Sequence, residues 1–160
     1  MEIQGPKTKI AEDKIMESGD IPVITQESDK MVAGYTSGEE AITDLPLIVF
    51  GDHTCAFKYV DFPFVRGADG TQLIKTDENT VMMRYLCGYL QTREIERAGK
   101  YERHFKYLKQ MKIPVPPLEE QKRIVSELAK YEAKIAHAQS IMASAPIRKQ
   151  DILKKYGVIA

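Results

Sequence analysis

The feature that most restricts what this chain can fold into is a seam of six apolar residues. Ile124, Leu128, Tyr131, Ile135, Ala138 and Met142 recur at intervals of 4, 3, 4, 3 and 4. A mean spacing of 3.5 is the period of a helix supercoiled on a partner, whereas a helix lying on a domain surface drifts toward 3.6. Val125 and Ile141 widen the stripe. Just upstream, Ile113-Pro114-Val115-Pro116-Pro117 has to be extended, because each proline fixes φ, removes a donor and keeps its predecessor out of the helical region. Pro117 then suits the first helical position, and Glu119 and Glu120 occupy the first turn, where the helix dipole favours acids. The pattern predicts a helix over 118–143, roughly 39 Å long at about 1.5 Å per residue. Six side chains worth about 1.5–3 kcal/mol each when buried require a cover, and a partner helix is favoured over the chain's own domain. Ser144-Ala145-Pro146 is expected to end this helix, leaving 144–160 as a short second helix and a tail, with Gly157 as its stop.

The residues before the junction read as a small β-rich body over 1–113. Ile21-Pro22-Val23-Ile24 and Leu47-Ile48-Val49-Phe50 are strand candidates, the first with its proline at an edge. Gly34 to Gly38 reads as a loop and Gly51-Asp52-His53-Thr54 as a turn. Phe57 to Val65 alternates aromatic and other residues like a strand. Ala68-Asp69-Gly70-Thr71 then carries the Asp-Gly pair of a tight hairpin, with Gln72-Leu73-Ile74 returning. Val81, Met82, Tyr85, Leu86, Tyr89 and Leu90 recur at helical spacing, predicting a helix through about Arg97 that ends at Gly99-Lys100. Phe105 to Met111 has room for one helical turn. The fold class expected is therefore α+β: a β-rich domain with accessory helices, followed by a long C-terminal coiled-coil helix.

Composition narrows the function. The 160 residues carry 23 Lys+Arg and 23 Asp+Glu, and a neutral total argues against a nucleic-acid binder. The distribution argues the other way. Residues 1–83 hold 7 basic and 15 acidic side chains, whereas residues 84–112 hold 8 basic and 3 acidic. In that basic stretch Tyr101, His104, Phe105 and Tyr107 are interleaved with the cations, the composition of a surface that faces phosphates; a solvated helix face has the same composition. No apolar run approaches the roughly 18 residues of a membrane span, and the first 30 residues lack a signal-peptide core. The two cysteines, Cys55 and Cys87, stand 32 apart, a spacing that fits a reducing cytoplasm better than a disulfide scaffold.

Catalytic patterns are missing from the sequence. It contains no Gly-x4-Gly-Lys-Ser/Thr phosphate loop, no Gly-x-Gly-x-x-Gly after a strand, no Gly-x-Ser-x-Gly elbow and no carboxylates grouped with a lysine as in metal-dependent nucleases. Asp52-His53-Thr54-Cys55 is the most reactive-looking group, but a zinc site needs two further ligands at matching spacing, so it reads as a structural turn.

The segment Lys112-Ile113-Pro114-Val115-Pro116-Pro117-Leu118-Glu119-Glu120-Gln121-Lys122-Arg123-Ile124-Val125 resembles the junction in specificity subunits of type I restriction–modification systems. There a target recognition domain ends and a spacer helix begins. Gly34-Tyr35-Thr36, Val49 to Thr54, Phe62-Pro63-Phe64 and Ala68-Asp69-Gly70 resemble the body of one recognition-domain subtype, and Arg148 through Tyr156 resembles the end of the helix. Members of that family usually hold two recognition domains and two helices; this chain is similar to one of each. It departs from the pattern at Pro146.

The resemblance implies a recognition domain over 1–113, an extended junction at 114–117, a spacer helix over 118–143 and a C-terminal helix and tail over 144–160. It implies a cytoplasmic, non-catalytic component without cofactor or metal. That component reads one half of a two-part target in double-stranded DNA and docks methyltransferase and restriction subunits. A lone helix implies a second copy, paired through the seam Ile124, Leu128, Tyr131, Ile135, Ala138 and Met142. For DNA contact the residues favoured are Tyr35, Thr36 and Ser37 in the polar loop, and Arg93, Arg97, Lys100, Tyr101, Arg103, His104 and Lys106 in the basic run. The alternative is an adaptor that docks on proteins through the heptad helix and never touches DNA.

Overall fold

The computed structural model describes residues 9–68, 70–93 and 104–159. These fall into two units, one ending at Lys122 and one starting at Arg123. The first unit is α+β, with seven strands in two sheets. β1 (Lys9–Ile10), β6 (Val65–Gly67), β2 (Ile21–Ile24) and β3 (Gly34–Thr36) lie side by side in one sheet in that order. β6 runs parallel to both β1 and β2, and β3 pairs antiparallel with β2. The other sheet is antiparallel, with β4 (Leu47–Gly51) between β5 (Phe57–Val60) and β7 (Thr71–Ile74).

Strand β4 explains the plan. All five of its residues are buried, so its unbroken apolar run belongs to a strand covered on both faces. Ile48 and Phe50 point into one cluster with Met83, Leu86, Cys87 and Leu90 of α1 (Met83–Gln91) and Leu108 of α2 (Phe105–Leu108). Leu47 and Val49 point into a second cluster with Ile24, Ile42, Val60 and Phe64, where Ile24 comes from the other sheet. Alternation along a single strand thus joins a helical layer to a β layer.

Several local expectations met a different topology. Gly34 to Thr36 is a strand rather than a loop: it pairs with β2, and Tyr35 also exchanges backbone bonds with Met16 at 2.8 and 2.9 Å. Phe57 to Val65 is divided between β5 and β6, which belong to different sheets, with Pro63 in the gap. Gly70 has the positive φ expected of it, +70°, but the turn closes no hairpin, because β6 pairs with β1 and β2 while β7 pairs with β4. Hairpin chemistry specifies a local backbone shape; which edge the next strand joins depends on distant partners. Helix α1 ends at Gln91 with i→i−3 bonds from Thr92 and Arg93, earlier than the expected Arg97, which lies outside the described residues.

The long helix α3 runs from Leu118 to Lys155 without a break. The end predicted at Ser144-Ala145-Pro146 is therefore corrected. Pro146 removes one N–H from a ladder of 38 residues, and the Ser144 hydroxyl bonds the Ile141 carbonyl at 3.0 Å one turn earlier. The carbonyl that Pro146 leaves without its donor is that of Met142, four residues earlier, next to the one the Ser144 hydroxyl bonds. At the other end, the Pro117 carbonyl accepts from Gln121 N–H at 3.1 Å, which makes Pro117 the residue just before the first turn. Beyond Arg123 the apolar residues of α3 are largely exposed, Tyr131 at 62% and Met142 at 74%. No helix among the described residues is long and apolar enough to cross a membrane.

Candidate nucleic-acid interface

The described part of the basic stretch lies on α1, on α2 and beside them, and both helices pack on the cluster built on Ile48 and Phe50. Helix α1 offers one apolar face to the sheet, and Arg84, Gln91 and Arg93 remain exposed. Its first turn lacks a side-chain cap at Met82, so other polar groups serve it. The Glu78 carboxylate accepts from Met83 N–H at 2.8 Å and the Gln121 amide oxygen accepts from Met82 N–H at 2.8 Å. Both satisfy donors that a helix start leaves open.

The cations are not scattered. The Arg84 guanidinium lies 4.3 Å from the Tyr59 ring centre, Arg93 4.5 Å from Tyr89, the Lys106 ammonium 4.8 Å from Tyr107 and that of Lys109 4.9 Å from Phe105. All four rings are half-buried on the rim of the same core cluster. Each ring thereby anchors a flexible cation by its face while leaving the charge in solvent, an attraction worth about 0.5–1 kcal/mol at exposed sites. Burial pushes the Tyr59 phenol above its ordinary value, with the Asp61 charge adding to the effect and Arg84 opposing it. Tyr85 is raised by burial as well, and its hydroxyl donates to the Pro114 carbonyl at 2.8 Å.

The start of α2 is fastened to the turn after β4. Asp52 and His104 are both buried, at 2% and 3% exposed. His104 donates from Nδ1 to the Asp52 carbonyl at 2.8 Å, a role set by the carbonyl, which only accepts. Phe105 N–H donates to the Asp52 carboxylate at 2.8 Å, and Asp52 N–H donates to the Gly70 carbonyl at 2.6 Å. Nε2 of His104 is buried and has no hydrogen-bond partner among the described residues. Asp52 was read as fold-defining from its place in a turn; that it caps α2, more than 50 residues away, had no local signal.

The remaining residues favoured from sequence fall into three groups. Tyr35 and Ser37 are exposed at the end of β3, while Thr36 between them is buried, 3% exposed, as strand alternation requires. The backbone there is closely confined: Asp20 N–H bonds the Thr36 carbonyl at 3.1 Å, and a Cβ on Gly19 would lie 2.8 Å from the same oxygen. Arg93 and Lys106 are exposed. Arg97, Lys100, Tyr101 and Arg103 lie outside the described residues.

Two other polar residues were not singled out from sequence. Lys58 is buried and donates to the Thr25 carbonyl at 3.0 Å; burial lowers its pKa, with Glu27 and Asp29 acting against that shift. Gln121 has no exposed surface, and its amide joins three segments. Nε2 donates to the Thr80 and Pro116 carbonyls at 3.0 and 2.8 Å, and Oε1 accepts from Met82 as described above. The extended prolines, the start of α1 and the first turn of α3 are therefore locked to one side chain. A glutamine amide is suited to this because it offers donors and an acceptor together. The available signal was the polar Gln in line with the apolar seam, three residues before Ile124. Among the described residues no group of His, Cys, Asp and Glu is placed to hold a metal ion.

Comparison with known proteins agrees with this architecture. Residues 1–144 match the family model described as Type I restriction modification DNA specificity domain, and the chain belongs to that family. It is similar to the Type I restriction enzyme EcoR124I/EcoR124II specificity subunit of Escherichia coli, 32% identical over 102 residues. That match covers 60% of this chain and 25% of the relative, so the chain corresponds to about a quarter of that protein's length.

Proposed function

We propose that this chain is a non-catalytic DNA-reading component of a type I restriction–modification complex, acting in the cytoplasm. It reads one half of a bipartite double-stranded target, pairs with a second copy through α3, and docks methyltransferase and restriction subunits that supply the chemistry. The observation that carries this reading is the set of exposed cations seated on aromatic rings around one core cluster, in a chain of the specificity-domain family. Cations held in place neutralise phosphates without first having to be ordered, which fixes register on the duplex.

Roles then divide by exposure. Exposed Arg93 and Lys106 contact the phosphate backbone, exposed Tyr35 and Ser37 reach base edges, and Arg97, Lys100, Tyr101 and Arg103 join the phosphate contacts on the basic composition of their stretch alone. Thr36 and His104, being buried, hold those neighbours in position rather than touching the duplex. The seam Ile124, Leu128, Tyr131, Ile135, Ala138 and Met142 belongs to the pairing surface. Two copies related by a two-fold axis read a palindromic, interrupted target.

The test is binding to target DNA over a salt series, for the chain alone and with its cognate methyltransferase. Replacing Arg93 and Lys106 together by Ala should reduce the slope of log K against log salt by about 2, close to one unit for each lost phosphate contact. An unchanged slope would remove both residues from the interface. Capture of the modification subunit with no DNA binding at any salt would replace the reading with the adaptor.

A further inference from the structure

The turn after β4 reads from sequence as purely structural, yet three segments of the first unit crowd together around it. Cys55 closes it with a positive φ of 57°, a conformation that residues bearing a side chain adopt at a cost. Gly51 has no space for a side chain: a Cβ there would lie 3.0 Å from both the Cβ and the carbonyl oxygen of Gln26. Gly70, also at positive φ, approaches from the turn before β7, and a Cβ on it would lie 2.5 Å from Gln26 Oε1. Two turns thus close on one residue just past the end of β2. The Thr54 hydroxyl donates to the Gln26 carbonyl at 2.6 Å, and His53 N–H donates to Gln26 Oε1 at 3.3 Å.

These bonds leave two side-chain groups unused. Gln26 Oε1 accepts one N–H and keeps a second lone pair, while Nε2 has no acceptor among the described residues. His53 is exposed, and its imidazole has no partner among the described residues. Both groups are therefore positioned by the contacts around Gln26 before any ligand arrives, which lowers the ordering cost of binding.

Their surroundings say what kind of ligand they meet. Between Gly51 and His53, Asp52 accepts on its carbonyl from His104 and on its carboxylate from Phe105. The turn is thereby fastened to the basic stretch, directly beside Lys106, whose ammonium is exposed on the Tyr107 ring. On the other side of Gln26 the charge is reversed. Glu12 and Glu27 are exposed at the lip of a cleft of about 450 Å³ at the carboxyl ends of β1, β2 and β6. Phosphates are attracted to the first flank and repelled from the second. A duplex whose backbone rests on the cations consequently turns a groove, rather than its other backbone, toward the point between them.

From this convergence we infer that Gln26 and His53 read base edges in the major groove, Gln26 taking an adenine through its amide. Adenine offers N7 to the amide N–H and an N6 hydrogen to the amide oxygen, the two-bond pairing that a glutamine side chain matches. His53 reaches a neighbouring base pair through one ring nitrogen. The inference rests on the reading of this chain as a DNA-reading component and adds a second reading point to it. Tyr35 and Ser37 stand at the other end of the same strand pair, since Thr36 pairs with Ile21 at the start of β2, five residues before Gln26. At about 3.3 Å per residue the two points are roughly 16 Å apart, the length of about five base steps, so they read different positions of one half-site.

Selection from a randomised duplex library, using the full chain with its cognate methyltransferase, tests the assignment by giving the preferred base at each position. Gln26→Glu should move one position from adenine toward cytosine by on the order of tenfold in relative affinity. A carboxylate accepts from the cytosine amino group and has no donor for adenine N7. His53→Ala, at an exposed side chain, should relax one position by about fivefold or more while keeping the wild-type slope of log K against log salt. Tyr35→Phe should leave both of those positions as they are. A uniform loss of affinity for all sequences, or a lower denaturation midpoint with base preference intact, overturns the inference and returns the turn to a structural role. So does an unchanged preference in both variants of a complex that selects its target. A wild-type complex that selects no sequence at all overturns the DNA-reading function itself.

Discussion

The unit ending at Lys122 and the unit starting at Arg123 treat their apolar residues in opposite ways. In the first, Leu47 to Phe50 are at most 1% exposed, and buried Asp52 and Gln121 use their polar atoms on neighbouring backbone. In the second, Tyr131 is 62% and Met142 74% exposed. The first unit satisfies its own side chains and leaves cations outside; the second satisfies its backbone as helix and leaves a hydrophobic stripe uncovered. Domain stability and the proposed assembly thus rest on separate stretches of chain, and substitutions should separate them.

The largest effect is expected in the first unit. Phe50 packs on Phe57 with ring centres 4.8 Å apart and is wholly buried, so Phe50→Ala should lose about 3–5 kcal/mol of stability in chemical denaturation. A loss below about 1 kcal/mol would show that β4 is not the centre of the domain. In the second unit, Ile135→Asp should weaken self-association by on the order of a thousandfold in sedimentation, since each dimer loses two side chains worth about 2 kcal/mol each. The cooperative unfolding of the first unit should be unaffected; if it shifts, the two units are not independent.

Gln121 stands where the regions meet in sequence. Gln121→Ala leaves one N–H and two carbonyls without their partner, and should cost about 1–3 kcal/mol in the first unit. An unchanged denaturation midpoint would mean that water takes over the amide's bonds. The smallest effect concerns Tyr59. Because burial raises its pKa above the ordinary 10.0, the folded protein holds the phenolic proton more tightly than the unfolded chain. That contribution is complete below pH 10.0 and is lost as pH rises through the folded value. Tyr59→Phe should therefore flatten the alkaline fall in stability; a parallel curve would assign the fall to other groups.

The two regions also differed in how legible they were. The helix start at Leu118 was readable because prolines and first-turn acids act on adjacent residues, and the seam because its period is a property of one helix. The buried strand at Leu47 to Phe50 was readable from its apolar run. What misled was local chemistry with nonlocal consequences. Asp69-Gly70 carries a turn signature, and Gly70 adopts its positive φ, but the strands on either side join different sheets. Pro146 disfavours helix by a local clash, yet α3 continues through it. At the candidate interface, exposed Arg93, Lys106, Tyr35 and Ser37 were visible as residue types. The burial of Thr36 and His104 was not, because it depends on β3 joining a sheet and on Asp52 reaching across to α2.

By itself, the amino-acid order determined the periods and punctuation of this protein: the 3.5-residue seam, the extended prolines, the basic stretch and the apolar strand. These are interactions among neighbours in the chain, whose geometry covalent structure and helix or strand pitch already specify. Tertiary structure alone decided which strands share a sheet, that one glutamine amide joins Thr80, Met82 and Pro116, and that aromatic rings from three elements carry the cations. Those outcomes depend on segments far apart in sequence competing for the same buried surface and the same hydrogen bonds, and that competition is resolved only when the whole domain packs at once.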